Sequence, residues 1–173
     1  MTTPPIIETE RLVLRPPEGR DWEPWAEFMA SDRAAFVGGP QDRSAAWRAF
    51  GHIIGHGAMR GFTLFMVTRK GDDTALGSVG PWFPEGWPER EIGWTLWSGA
   101  LEGGGFAFEA ASAARAWIWS DLGWGGAVSY IAKENARSIA LAQRLGAELD
   151  PAADTPRGED CHVFRHQRPE AAV

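Results

Sequence analysis

Three glycines in a row, Gly103-Gly104-Gly105, lead into Phe106-Ala107-Phe108-Glu109-Ala110. Consecutive glycines let backbone N–H groups turn toward one point, and the start of a helix adds free donors and a partial positive charge, which together suit a phosphate or pyrophosphate. The run is not a Walker loop, because no Gly-Lys-Ser/Thr follows, and it lacks the third glycine of a dinucleotide-binding fingerprint. A flexible loop before a helix is the plainer reading of the same residues. A second cluster, Asn135-Ala-Arg-Ser138, opens a later helix that ends at Leu145-Gly146-Ala147, directly after a strand. Asn135 can cap that helix.

Other reactive side chains stand alone. His52 and His56 lie at i, i+4, a spacing a metal tolerates, yet no glutamate of the zincin pattern lies between them and no third ligand is evident, so no metal site is expected. Cys161, the only cysteine, has no activating motif around it and reads as a small packed side chain. Tyr130, the only tyrosine, can serve as an acid beside a cleft, although core packing is the simpler expectation.

Composition narrows the class. The 173 residues carry 17 Lys plus Arg against 23 Asp plus Glu, a net charge of −6. Phosphate-backbone binding draws on a basic excess that is absent here, so no nucleic-acid partner is expected. No apolar run approaches membrane-spanning length and the start has no signal-peptide pattern, so the expected location is cytoplasmic, away from membranes. One cysteine excludes an internal disulfide framework, and a chain of this length buries enough surface to fold without one. No repeat or linker interrupts it, and residues 1–173 are expected to form one domain.

Elements must position these residues. Ile6 to Arg15 alternates like a half-buried strand that Pro16-Pro17 ends. Asp21 is placed to cap a helix in which Trp22, Trp25, Phe28 and Met29 share a face; a second helix from about Asp42 carries Trp47, Phe50, Ile53 and Ile54 on its apolar stripe. Phe62–Thr68 and Ala75–Val79 flank a turn at Lys70-Gly-Asp-Asp73, a loop rich in Pro and Trp spans Pro81 to Arg90, and Glu91–Trp97 is a third strand. Gly105 to about Leu122 is the longest helix, Ala127–Ala132 a buried strand, Asn135–Leu145 a helix, and short strands lie near Ala147 and at Cys161–His166. The order describes one mixed sheet with helices packed on it. Ligands in such sheets favour the crevice at the carboxyl ends of central strands, after Glu91–Trp97.

Taken together, Glu91-Ile-Gly-Trp94, the glycine turn with Phe106-Ala107 and Glu109-Ala110, and Asn135-x-x-Ser138 ending at Leu145-Gly146 resemble the GNAT acetyltransferase superfamily. Glu8-Thr-Glu-Arg-Leu-Val-Leu-Arg-Pro16 resembles the first strand of its Rim-type branch, which acetylates protein N-termini, and the likeness runs from about Ile7 to Arg165. The resemblance implies an α/β (α+β) fold: a single mixed, mostly antiparallel sheet whose central parallel strands, Glu91–Trp97 and Ala127–Ala132, splay to hold acetyl-CoA. The family's pyrophosphate loop maps to Glu102-x-x-Gly105-x-Ala107, with Gly103, Gly104 and Phe106 between. Glu102 departs from the uncharged or basic residue usual there and is expected to repel a pyrophosphate unless it points to water.

The activity the resemblance implies is transfer of an acetyl group to a primary amine, a protein N-terminus or a small molecule, with no metal. Glu91 is the candidate base, acting directly or through water, or else a strand-end carboxylate paired with Arg90 or a neighbour. A backbone N–H around Trp94, Thr95 or Leu96 would polarise the thioester oxygen. Ser138 matches a residue that bonds the leaving sulfur and Asn135 one that contacts the pantetheine arm; plain helix capping explains both equally. Arg137 and Arg144 are candidates for a 3′-phosphate, Glu109 is read as structural, and the acceptor site falls among residues 22–47 and Pro151 to Asp160. Most of Trp22, Trp25 and Trp47 is expected in the core. Trp82, Phe83 and Trp87 are left to cover the cleft, bind an apolar acceptor or form a homodimer contact. The competing function is an acyl-CoA-binding sensor of the same fold without turnover, which Glu102 favours.

Overall fold

Phe65–Arg69, strand β3, is buried along its first four residues, so helices have to cover both of its faces. Strand alternation divides them. Phe65 and Val67 join a core with Leu12, Leu14, Ala110 and Ala114 on one side, while Met66 joins Trp25, Phe28, Phe50 and Ile53 on the other.

The computed structural model describes residues 5–169. Around β3 it builds β1 (Ile7–Glu8), β2 (Leu12–Arg15), α1 (Trp22–Met29), α2 (Arg43–Arg60), β4 (Asp72–Trp82), β5 (Glu91–Leu96), α3 (Phe106–Ser120), β6 (Gly126–Ala132), α4 (Ala136–Arg144), β7 (Glu148–Leu149) and β8 (Cys161–Gln167). The eight strands form one sheet in the order β1-β2-β3-β4-β5-β6-β8-β7. Every neighbouring pair is antiparallel except β5 and β6, as expected for a strand, crossover helix and strand. The mixed, mostly antiparallel α/β architecture matches the sequence expectation. Alanines at 110, 111 and 114 give α3 a small-residue face that lies close on the sheet, and α1 and α2 cover the opposite face. Among the described residues no helix is long and apolar enough to cross a membrane.

Several expectations are corrected. The first strand is two: β1 and β2 pair with each other, because the chain reverses between them and the Leu12 amide bonds Thr9 Oγ1 at 2.9 Å. Pro81 and Trp82 belong to β4 rather than to a loop. Pro81 lies opposite Ile92, whose amide and carbonyl face β6, so this is a non-hydrogen-bonded pair and the missing proline N–H breaks no ladder bond. Trp47 is 60% exposed and Ile54 44%, so the apolar stripe of α2 is narrower than its spacing suggests. Trp22 stands edge-on to Trp47 at the surface, whereas Trp25 is buried and donates to the Ala46 carbonyl.

Asp21 makes no cap bond for α1. It is buried against Arg15, accepting from both terminal nitrogens at 2.8 and 2.7 Å, and takes the Glu18 amide as well. Arg15 is also held by Asp73 at 2.7 Å, and these carboxylates raise its already high pKa. The pair ties the end of β2 to the entry of α1. Removing one partner of a buried pair leaves an uncompensated charge, so Asp21→Ala is expected to destabilise the protein by about 3 kcal/mol, with Asp73 retaining part of the attraction. Urea denaturation checks this, and a loss below about 1 kcal/mol would show that Asp73 alone satisfies Arg15.

Candidate active site

The parallel ladder between β5 and β6 is one bridge long, Glu91 with Val128, where the Val128 amide donates to the Arg90 carbonyl at 2.9 Å. A side chain then takes the place of the backbone. Ser129 Oγ donates to the Ile92 carbonyl at 2.6 Å, which uses its one proton, so the contact with His166 at 2.9 Å is His166 Nε2–H donating to Ser129 Oγ. His166 is buried, and burial together with nearby Arg115 pushes its pKa down to about 4, which keeps the ring neutral. Beyond Ile92 the strands part. The alternation that turns Ile92 toward β6 also turns the amide and carbonyl of Trp94 into the opening.

Two adjoining cavities of about 500 and 520 Å³ occupy this opening and share Phe36, Val37, Trp94, Thr95, Asn135 and Ser138. Glu91 lies in the first. Its Oε2 accepts from Trp87 Nε1 at 2.7 Å, and burial pushes its pKa up to about 7 against the opposing effect of that bond and of a bond from the Tyr130 backbone. Pairing with Arg90 is not what holds it, since Arg90 lies over the Trp124 ring at 5.3 Å. Tyr130 lines the same cavity rather than packing in the core; its hydroxyl accepts from the Glu89 amide at 3.2 Å, and burial pushes its pKa up to about 12.

The second cavity reaches the glycine turn through Glu102 and Ala107; Gly103, Gly104, Gly105 and Phe106 stand outside its lining. Gly103 and Gly105 have φ of 73° and 77°, which L side chains rarely adopt, and a Cβ on Gly104 would sit 2.7 Å from the Phe106 ring. The Glu102 amide is bonded to Gly99 and that of Glu109 to Gly105, while among the described residues the N–H groups of 103–108 find no acceptor. Arg11 braces the turn from behind: it donates to the Gly104 carbonyl at 2.9 Å and to Glu109 at 2.7 Å, and lies over the Phe106 ring. Glu109 also accepts from Thr9 Oγ1 and the Arg11 amide, so its structural reading fits.

Glu102 neither points freely to water nor stands as a bare charge. Its Oε1 accepts from Arg33 and from Arg137, each at 2.6 Å, and Arg33 with Arg137 holds the carboxyl below its ordinary pKa. One carboxylate between two guanidinium groups leaves a net positive charge beside the free amides. Arg33 was not singled out by its local sequence; the only signal is a basic residue in a short 3₁₀ segment, Asp32–Val37, that the fold carries to the cleft. Arg144 stacks over Phe108 at 4.1 Å. Asn135 does cap α4, accepting from the Ser138 amide at 3.2 Å, and Ser138 Oγ accepts from Trp94 Nε1 at 3.2 Å, so both residues face both cavities from the mouth of α4.

The remaining sequence candidates resolve into structure. His56 is buried between the Phe62 carbonyl and the Phe83 amide and stacked on Trp82; an amide can only donate, so Nε2 accepts and Nδ1–H donates. His52 stands edge-on to Trp82. Among the described residues no group of three or more His, Cys, Asp or Glu is arranged to hold a metal ion. Cys161 is half-buried, and burial raises its pKa.

Known proteins share this arrangement. A family model described as an acetyltransferase (GNAT) domain matches residues 11–148. An acetyltransferase from Agrobacterium tumefaciens is 36% identical, with 97% of each chain covered and a TM-score of 0.89. A GNAT-family acetyltransferase from Bacillus anthracis is 20% identical over 93% of this chain and 96% of its own, with a TM-score of 0.73. RimL, a ribosomal-protein α-N-acetyltransferase solved in complex with coenzyme A, is 16% identical over 94% of this chain and 98% of its own, with a TM-score of 0.74. A family model spanning residues 11–148 and a relative 36% identical along nearly the whole chain place it in a family: the chain belongs to the GNAT acetyltransferases.

Proposed function

We propose that this acetyltransferase takes its acetyl group from acetyl-CoA and transfers it to a primary amine by direct attack, with the Glu91 cavity as the acceptor side and the Arg33–Glu102–Arg137 cavity as the coenzyme side. The single observation that carries the proposal is the parted β5–β6 edge, with Glu91 on one side and, on the other, Glu102 and Ala107 of a turn whose amides 103–108 find no acceptor among the described residues. These residues fit the coenzyme. Free N–H groups at the start of α3 suit a diphosphate, and the two arginines around Glu102 add net positive charge where the sequence suggested repulsion. Bound there, acetyl-CoA supplies an activated acetyl thioester.

The protein's own groups would divide the remaining work. The attacking nitrogen must be neutral, and an amine is mostly protonated at pH 7. Glu91 would accept that proton, directly or through water; a carboxylate with a pKa near 7 is far better matched to the task than an ordinary one. Trp94, whose amide faces the opening, would stabilise charge on the acetyl oxygen. Ser138, already accepting from Trp94, keeps its hydroxyl proton available to donate to a thiolate. Asn135, its amide nitrogen not engaged in the cap, would contact the coenzyme's arm. The acceptor amine would be a protein N-terminus, the kind of amine RimL acetylates, or that of a small molecule.

Glu91→Gln is expected to lower kcat/KM by about a hundredfold near neutral pH, with a smaller loss at high pH where the amine is already neutral. The wild-type profile should fall below about pH 7, and an unchanged profile in the variant would remove Glu91 as the base. A second readout needs no substrate. The folded-state pKa is raised from 4.5 to about 7, so the stability linked to Glu91 is full below about 4.5 and lost as pH rises through about 7. The variant's melting temperature relative to wild type should therefore rise between pH 5 and 8. Glu102→Gln should tighten coenzyme A binding roughly threefold at low salt, fading as salt screens the arginines. Calorimetry decides, and weaker binding would mean that Glu102 serves chiefly to hold Arg33 and Arg137 in place.

A further inference from the structure

We infer that the acceptor is a small primary amine carried on an apolar or aromatic body, with no carboxylate beside the nitrogen and no peptide backbone following it. The inference deepens the proposed function and rests on reading the Glu91 cavity as the acceptor side. Its first ground is charge. Among the described residues, the carboxylates lining that cavity are Glu91 and Glu159 and no Lys or Arg lines it; the arginines of the cleft, Arg33 and Arg137, line the coenzyme side instead. A cationic amine is drawn in, whereas a free amino acid would bring its carboxylate against two others with no Lys or Arg among the lining residues to receive it, Arg157 being placed over the Trp87 ring at 5.8 Å.

The second ground is the wall itself. Trp82, Trp87 and Met29 form broad apolar surface beside the His52 ring, and Phe36 and Val37, which line both cavities, remain 51% and 40% exposed. Exposed apolar side chains at the entrance of a recess mark a surface awaiting an apolar ligand. Trp87 is fixed by its bond to Glu91, so an aromatic wall stands directly beside the carboxylate that would meet the amine.

The third ground is how few free polar groups the lining offers. Ser78 Oγ is bonded to Thr95 Oγ1, which also receives Trp97 Nε1. Ser129 Oγ is taken by Ile92 and His166, while the Tyr130 hydroxyl accepts from the Glu89 amide and keeps its own proton to donate. Apart from Asn135, Ser138 and the Trp94 backbone, which line the coenzyme side as well, a peptide entering this space would bury successive amides and carbonyls against groups already largely paired, whereas an arylalkylamine presents only its nitrogen to Glu91. The cavity, about 500 Å³, is of the size that encloses a small molecule.

Three probes with the same benzyl group separate the grounds: phenethylamine, phenylalanine and a phenylalanine-initiated tetrapeptide. Each is assayed for thiol release from acetyl-CoA and, independently, for quenching of tryptophan fluorescence. The expected result is kcat/KM for phenethylamine at least tenfold above both others, with quenching in the same order. Equal or better use of phenylalanine or the peptide overturns the inference and leaves the acetyltransfer reading standing. Quenching by phenethylamine alone, with no turnover of any probe, upholds the ligand class and overturns the assignment of this cavity to transfer. No quenching and no turnover overturns both. Phe36→Arg, at a half-exposed position, places a cation at the mouth and should raise the phenylalanine-to-phenethylamine ratio about tenfold; an unchanged ratio would show that the wall's lack of cations does not set the preference.

Discussion

A parallel ladder that stops after one bridge is the constraint on which this cleft depends. Two neighbouring strands ordinarily pair to their ends, because each unpaired backbone group gives up a hydrogen bond. Here the bridge at Glu91 and Val128 is followed by Ser129, whose hydroxyl reaches the Ile92 carbonyl and stands where an amide would continue the ladder. His166, on the far strand β8, donates to that hydroxyl and is backed by Arg115. A protonated ring would add a buried cation next to a guanidinium, and the fold holds His166 neutral by the same burial that hides it. The wedge is thus fully hydrogen-bonded, which is what a buried polar group requires.

Past the wedge, the separation is sustained from the sides. Trp94 leaves β5 and its indole reaches Ser138 on α4, so a strand and a helix are bonded across the space where a strand pair would lie. On one flank, amides 103–108 and two arginines make the environment electropositive; on the other, Glu91 and Glu159 among aromatic walls make it acidic and apolar. The electropositive flank arises without any basic excess, since the chain as a whole carries −6. Net charge speaks to solubility and nonspecific partners, and local placement decides the site.

The legibility of these parts in the sequence follows from the range of the interactions that form them. Asn135 capping α4, the turn between β3 and β4 and the glycine run depend on residues a few positions apart, and the sequence carries them. Glu102 reads locally as a bare charge, because the guanidinium groups that pair with it come from Arg33 and Arg137, sixty-nine and thirty-five positions away. Asp21 looks like a cap from its neighbours and becomes a buried counter-ion once β2 brings Arg15 beside it. Trp47 has the spacing of a core residue, yet the helix already buries Ala46, Phe50 and Ile53, and the edge that carries Trp47 meets the partly exposed Trp22 and stays 60% exposed. Pro81 reads as a strand breaker unless the register with β5 is known. Trp87, in a loop broken by prolines, gives no local sign that its indole will meet Glu91.

That indole sets the balance on which the proposed chemistry turns. A glutamate in water is too weak a base to take a proton from an ammonium group efficiently, and one buried without a donor would stay protonated and take none. Glu91 lies between these limits. Burial raises its pKa, while the Trp87 N–H at 2.7 Å and the backbone of Tyr130 favour the charged form and stop the rise near 7. The loop has reason to be held firmly at this point. Arg157, the one non-glycine residue among those described with positive φ, at 55°, places its guanidinium 5.8 Å from the Trp87 ring centre. A left-handed conformation costs a non-glycine residue about 1–2 kcal/mol, and a cation over an indole returns part of it. The loop before β8 thus sets a cation over the residue that tunes the carboxylate, and Trp87 contributes both to the aromatic wall and to the basicity of Glu91.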